Sequence, residues 1–182
     1  MNVPTSRILA LTGATGFVGS ALARRLRSSG WSVRALCRSE PAAGSRGADG
    51  VEWVRGSLED LDCLRRLAGG AAAVVHCAGA IRGATAADFD RVNVDGTARL
   101  VRAAREQRPQ SRFLLVSSLA ARAPHLSHYA RSKRLGEGIV AAEAGAMPWT
   151  ALRPSAIYGP GDRETLPLVR CMRLGVAPVL GG

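Results

Sequence analysis

Thr12-Gly13-Ala14-Thr15-Gly16-Phe17-Val18-Gly19 decides how this chain folds. The stretch follows an apolar run, Ile8 to Leu11, that reads as a short buried strand. It opens into Ser20 to Arg27, where Ala21, Leu22 and Leu26 recur at helical spacing. Three glycines at Gly-x-x-Gly-x-x-Gly spacing also describe a loop that merely turns; the strand before them and the helix after them give them meaning. In that setting Gly13 permits the tight turn, Gly16 lets backbone approach a pyrophosphate, and Gly19 lets the helix pack close. The unpaired N–H groups at the helix start face a diphosphate. Gly13, Thr15, Gly16, Phe17, Val18 and Gly19 are the residues expected to hold it.

Working outward, strands and helices alternate. Strands are expected at 7–11, 32–37, 51–54, 72–77, 112–117 and 149–153. Helices are expected at 17–29, 58–67, 87–107, 127–144 and 165–174, with Gly30 and Pro109 as stop signals. A loop rich in Gly, Ala and Ser, 39–50, joins the second and third strands. Alternation of this kind builds βαβ units and a parallel sheet. Such strands are covered on both faces and read as continuous apolar runs, as Val74-Val75 and Phe113-Leu114-Leu115-Val116 do. The expected fold is a doubly wound parallel α/β sheet forming one domain over residues 1–182. Its chemistry should lie just past the carboxyl ends of the strands.

Composition narrows the function. A chain of 182 residues with 47% hydrophobic content builds a substantial core. No apolar run approaches the ~20 residues that span a bilayer. Met1 to Arg7 lacks the charged and apolar regions of a signal peptide, so the expectation is a cytoplasmic protein without a membrane partner. Cys37, Cys63, Cys77 and Cys171 form no C-x-x-C pair, and the three histidines add no metal-ligand spacing, so buried free thiols and no metal are expected. The net charge of +11 is spread along the chain, with three Phe and two Tyr for stacking and no nucleic-acid motif, which argues against a nucleic-acid partner.

Several residues carry chemistry. Arg38, 19 positions after Gly19, ends the second strand, where an arginine suits the 2′-phosphate of NADP; Glu40, the nearest acid, leaves NAD open. After the fourth strand, Cys77, Ala78 and Gly79 are small enough for a nucleotide to lie against the backbone. His76 beside them reads as a packed, hydrogen-bonded histidine rather than a catalytic one. Lys133, the only lysine in the chain, stands four residues after Tyr129. Residues i and i+4 share a helix face. A nearby ammonium favours a phenolate, so Tyr129 could move a proton while hydride moves elsewhere. The hydroxyls of Ser117-Ser118, ending the fifth strand, could hold a substrate oxygen.

With these pieces in order, the chain resembles the short-chain dehydrogenase/reductase superfamily, in its extended branch of NAD(P)-dependent epimerases, dehydratases and reductases. The resemblance rests on Thr12 to Gly19, Asn93-Val94-Asp95-Gly96-Thr97, Val116-Ser117-Ser118, Tyr129 to Lys133, and Leu152-Arg153-Pro154-Ser155-Ala156-Ile157-Tyr158-Gly159-Pro160-Gly161-Asp162. It implies a Rossmann-type sheet with helices on both faces. It implies that Tyr129 is the general acid/base, that Lys133 supports it and holds the nicotinamide ribose, and that Ser118, with Ser117 as the fallback, binds the reacting oxygen. It also implies that Asn93 ties the long helix to the fourth strand, and that Pro154 and Ile157 lie against the nicotinamide. Ser57 stands where family members often carry an aspartate that contacts adenine; its hydroxyl can still hydrogen-bond adenine, and Ser57 and Leu58 are expected to bind the cofactor there. The Ser118-to-Tyr129 connection is shorter than in many sugar-nucleotide epimerases. Extended members continue beyond Tyr-Gly-Pro-Gly into a substrate-binding region that is largely absent here, so the sequence is either a fragment or a shortened protein.

The function so implied is NAD(P)-dependent oxidation–reduction or epimerisation, with hydride transfer at a hydroxyl- or carbonyl-bearing carbon of a small molecule and NADP preferred. The alternative is an inert NAD(P)-binding accessory or sensor. Family members often pair through the helices bearing Asn93 and Tyr129, which implies a homodimer.

Overall fold

A computed structural model describes residues 7–39, 41, 49–162 and 165–175. Glu40 and most of the 39–50 loop lie outside the described residues. Six strands, β1 (Arg7–Thr12), β2 (Trp31–Cys37), β3 (Glu52–Arg55), β4 (Ala73–His76), β5 (Arg112–Val116) and β6 (Trp149–Leu152), form one sheet in the order β3-β2-β1-β4-β5-β6. Every pairing is parallel. The helices are α1 (Phe17–Ser28), α2 (Leu61–Ala68), α3 (Ala86–Asp90), α4 (Thr97–Gln107), α5 (His128–Glu143) and α6 (Leu166–Arg173).

Successive strand residues point to opposite faces, and both faces are apolar. Ala10, Val74, Phe113 and Leu115 pack with Leu64 and Leu67 of α2, Leu100 and Val101 of α4, and Val140 of α5. Leu9, Leu11, Val33 and Val75 pack on the other face with Ala23 of α1. Phe113, Leu64 and Leu100 are fully buried, and burial of a side chain of that size contributes about 1.5–3 kcal/mol.

Three elements differ from the sequence expectation. The second helix begins at Leu61 rather than 58, because the Asp60 carboxylate accepts the Cys63 N–H at 2.9 Å and caps the first turn there. The long helix over 87–107 is α3 and α4 joined by a π-helical segment, Arg91–Gly96. Two 3-10 turns, Leu119–Arg122 and Pro124–Leu126, fill the connection from β5 to α5. Of the thiols, Cys37 and Cys63 are buried as expected, but Cys77 and Cys171 are partly exposed. Among the described residues no three or more His, Cys, Asp or Glu gather to hold a metal ion, and no helix is long and apolar enough to cross a membrane.

The chain runs β1-β2-β3 outward to one edge, then returns to place β4 on the other side of β1. The glycine turn leaves β1 at that reversal, where open α/β sheets bind their ligands.

Candidate active site

The glycine turn is built by close approach. Gly13 has φ +73°, and a Cβ there would lie 2.7 Å from the Ala78 backbone nitrogen. Gly13 therefore serves two needs, the left-handed turn and contact with the exit of β4. A Cβ on Gly19 would lie 2.0 Å from the Gly13 carbonyl oxygen, so Gly19 seats α1 against the turn itself. Gly16 is the N-cap of α1 and offers no side chain to it, and the first turn contains no acidic residue. The N–H groups of that turn have no acceptor within the helix and point out of its positive end.

Above this turn opens a cleft of about 950 Å³. Its walls include the expected Gly13, Thr15, Gly16, Phe17, Val18, Gly19, Arg38, Cys77, Gly79 and Ile157. They also include Trp53 and Asp162, which the sequence reading did not single out as site residues, and Ile81. Arg38 is exposed at the β2 end, and Ile157 stands at the β6 end. Ser57, Leu58, Ala78, Asn93, Ser118, Tyr129, Lys133 and Pro154 do not form this wall. The Ser57 hydroxyl accepts the Glu59 N–H at 3.1 Å, as part of the turn that leads into α2.

His76 forms the centre of a directional hydrogen-bond chain. The Thr97 hydroxyl donates its single hydrogen to the Asn93 carbonyl at 2.8 Å, so the His76 Nε2–H donates to Thr97 Oγ1 at 3.1 Å. Nδ1 then accepts from the Thr12 hydroxyl at 2.7 Å, and that hydroxyl accepts the Ala78 N–H at 3.1 Å. The ring is thus neutral and locked in one tautomer. Burial, with the nearby Lys133 charge, pushes its pKa down to about 3. In the unfolded chain it takes up a proton near 6.5, so the stability is fully present above that pH and declines as pH falls toward 3. We expect stability to drop on the order of 1 kcal/mol per pH unit below 6.5, read as Tm by circular dichroism between pH 7 and pH 5. His76→Gln should flatten that slope; an unchanged slope would contradict the assignment.

Asn93, on the π-helical segment, brackets the loop after β4. Its Oδ1 accepts the Ala80 N–H at 2.9 Å, and its Nδ2 donates to the Ala80 carbonyl and to the Ser132 hydroxyl, both at 2.9 Å. Ser132 in turn donates to the Tyr129 carbonyl at 2.8 Å. Opposite, a Cβ on Gly136 would lie 2.6 Å from the Asn93 carbonyl oxygen, so α5 and the π-helical segment meet at backbone distance.

This brings the Tyr129–Lys133 face of α5 toward the end of β5. Tyr129 is half-buried, with its ring edge-on to Phe89 at 6.1 Å between centroids. Lys133 is buried and donates from Nζ to the Val116 carbonyl at 2.9 Å. A Cβ on Gly79 would approach that ammonium to 3.2 Å, so the absence of a side chain there keeps room between the lysine and the β4 loop. Burial pushes the Lys133 ammonium below its ordinary value, while Cys77 and Glu137 pull the other way. Burial also pushes the Cys77 thiol up to about 11. Ser117 is buried and donates to Glu137 Oε1 at 2.6 Å. Ser118 is half-buried and caps the 3-10 turn that follows, accepting the Ala120 N–H at 3.2 Å.

A parallel sheet with a glycine turn at its reversal and a Tyr-Lys face beside it defines a nucleotide-binding α/β protein of the extended short-chain dehydrogenase type. The chain belongs to the NAD dependent epimerase/dehydratase family, which it matches over residues 9–180. It is 48% identical over 175 residues to a ceramide reductase of Caulobacter vibrioides, covering 95% of this chain and 54% of that protein. It is 31% identical over 175 residues to a 4-hydroxy-2-methyl-3-oxo-4-farnesyl-3,4-dihydroquinoline-1-oxide ketoreductase of Stigmatella aurantiaca, covering 86% of this chain and 52% of that protein. A solved short-chain dehydrogenase/reductase superfamily protein from Agrobacterium tumefaciens with bound NAD superposes with a TM-score of 0.70 at 30% identity, covering 81% of this chain and 48% of that one. The chain thus spans about half the length of the relatives it matches.

Proposed function

We propose that this chain is the cofactor-binding and catalytic part of an NADPH-dependent reductase acting on a ketone that carries a long hydrocarbon chain. The observation that supports it most is the layout of the carboxyl edge of the sheet. One cleft joins the glycine turn to Arg38 on one side and to Ile157 on the other, with Ser118, Tyr129 and Lys133 on the neighbouring elements. The dinucleotide would lie across the glycine turn with its diphosphate at the start of α1, its adenosine half toward Arg38 and its nicotinamide toward Ile157. When bound, the cofactor supplies the hydride. Tyr129 donates the proton to the developing alkoxide oxygen, Ser118 hydrogen-bonds that oxygen, and Lys133 holds a positive charge beside the phenol. Engagement of Ser117 by Glu137 favours Ser118 for the oxygen-binding role.

The substrate class rests on two observations. The Caulobacter and Stigmatella relatives are named as reductases, of a ceramide and of a farnesylated 3-oxo compound. In addition, Ile81 and Ile157, which line the cleft, are exposed apolar side chains, and so are Leu119, Leu126 and Tyr158 on the segments that follow β5 and β6.

Arg38 gives the cofactor preference. Charge-assisted hydrogen bonds contribute about 1.5–3 kcal/mol, so Arg38→Ala is expected to weaken NADPH binding by roughly 10- to 100-fold and leave NADH binding within about twofold. Fluorescence titration with each cofactor checks this. Equal losses for both would remove Arg38 from the 2′-phosphate site.

A further inference from the structure

Glu137 is a carboxylate with no place in the chemistry described above, yet it is buried to 5% exposure and carries four hydrogen bonds. Oε1 accepts from Ser117 Oγ at 2.6 Å and from Arg153 Nε at 2.8 Å. Oε2 accepts from Arg153 Nη2 at 2.5 Å and from Arg134 Nη1 at 3.4 Å. The Arg153 pair is a bidentate fork, the strongest geometry available to these groups. Burial alone would push the Glu137 carboxyl up, but hydrogen bonds from Arg153 and Ser117 outweigh it and hold it below its ordinary value.

Two of its partners, and Glu137 itself, sit next to pieces of the reacting end. Ser117 precedes Ser118. Arg153 precedes Pro154, and Ile157 beyond it lines the cleft. Glu137 itself stands one helical turn beyond Lys133, whose ammonium reaches the Val116 carbonyl just before Ser117. The backbone completes the enclosure: Ser117 N–H donates to the Leu152 carbonyl and Leu119 N–H to the Pro154 carbonyl, both at 2.8 Å. The exits of β5 and β6 are therefore zipped together, and one carboxylate on α5 grips both.

We infer that Glu137 is a positioning residue: through Ser117 and Arg153 it sets where Ser118 and the Pro154–Ile157 segment stand relative to Lys133, and so shapes the nicotinamide half of the site alone. The inference rests on the dinucleotide reading of the cleft. It requires that loosening the grip be felt by the nicotinamide half and not by the adenosine half, which is held more than one strand away at Arg38 and the glycine turn.

The test compares NADPH with adenosine 2′,5′-bisphosphate, which carries the adenosine half only, by calorimetric titration of the full chain. The wild-type chain is expected to bind both. Glu137→Gln and Arg153→Met should each weaken NADPH at least about tenfold and leave the bisphosphate within twofold. The double variant should be no worse than either single one, since both remove the same grip. Equal weakening of both ligands, no weakening of either, or losses that multiply in the double variant would each overturn the inference. If Glu137→Gln does not fold, Arg153→Lys at the partly exposed partner keeps the charge but loses the fork, and the same split is expected. A wild-type chain that bound neither ligand would overturn the dinucleotide reading first, and the positioning role with it.

Discussion

Tyr129→Phe is expected to lower kcat for NADPH-dependent ketone reduction by on the order of 10²–10⁴-fold, the range that a positioned proton donor contributes. The substitution removes one oxygen from a half-buried ring that already packs edge-on against Phe89, and packing of the ring is kept. NADPH affinity should therefore stay within a few-fold of wild type, because the diphosphate and adenosine contacts lie elsewhere. The measurement pairs stopped-flow loss of NADPH absorbance, using a long-chain 3-oxo substrate, with a direct cofactor titration. Undiminished turnover would remove Tyr129 from proton transfer. A wild-type chain that binds NADPH tightly and turns over no ketone would favour an accessory, cofactor-holding role instead.

Gly19→Ala is the second large effect. The added carbon would sit 2.0 Å from the Gly13 carbonyl oxygen and 2.6 Å from its carbonyl carbon. Both are backbone atoms, so no side chain can swing aside. Either α1 moves out or the Gly13 turn distorts, and each tilts the first-turn N–H groups away from a bound diphosphate. Two such charge-assisted hydrogen bonds are worth about 1.5–3 kcal/mol each, so dinucleotide affinity should fall on the order of 10²-fold or more. Overpacking of this kind also costs about 1–3 kcal/mol of stability, which lowers Tm by several degrees at roughly 2–4 °C per kcal/mol. Titration and thermal melting of the same variant read both effects. Wild-type affinity in Gly19→Ala would mean that this turn does not hold the diphosphate.

The layered fold was legible because its signals are local. Val74-Val75 and Phe113 to Val116 mark strands covered on both faces, and the glycine turn marks the first strand-to-helix junction. What escaped depends on partners far along the chain. Glu137 falls in an ordinary amphipathic helical pattern, where a charge usually faces solvent. Only Ser117 and Arg153, brought in from two different strand ends, make it a buried ligand. His76 was readable as a packed histidine, but its tautomer follows from Thr12 and Thr97, 64 and 21 positions away. The late start of α2 was within reach of a local reading, since Asp60 stands three residues before Cys63. Trp53 in the cleft wall had no signal, because nothing in the pattern of β3 distinguishes a residue that faces a ligand from one that faces the core.

The π-helical segment Arg91–Gly96 has a mechanical meaning. A wider coil absorbs one residue without moving the ends of the helix that contains it. Asn93 leaves the axis in the direction of the Ala80 loop, while Leu100 and Val101 below it still face α2 and the sheet. The segment therefore acts as an adjustable joint between a core-facing half and a loop-facing half, each keeping its own azimuth. A residue gained or lost at the joint would re-aim the bridging amide, and would also disturb the backbone contact with Gly136 and the Thr97–His76 hydrogen bond that start from the same segment.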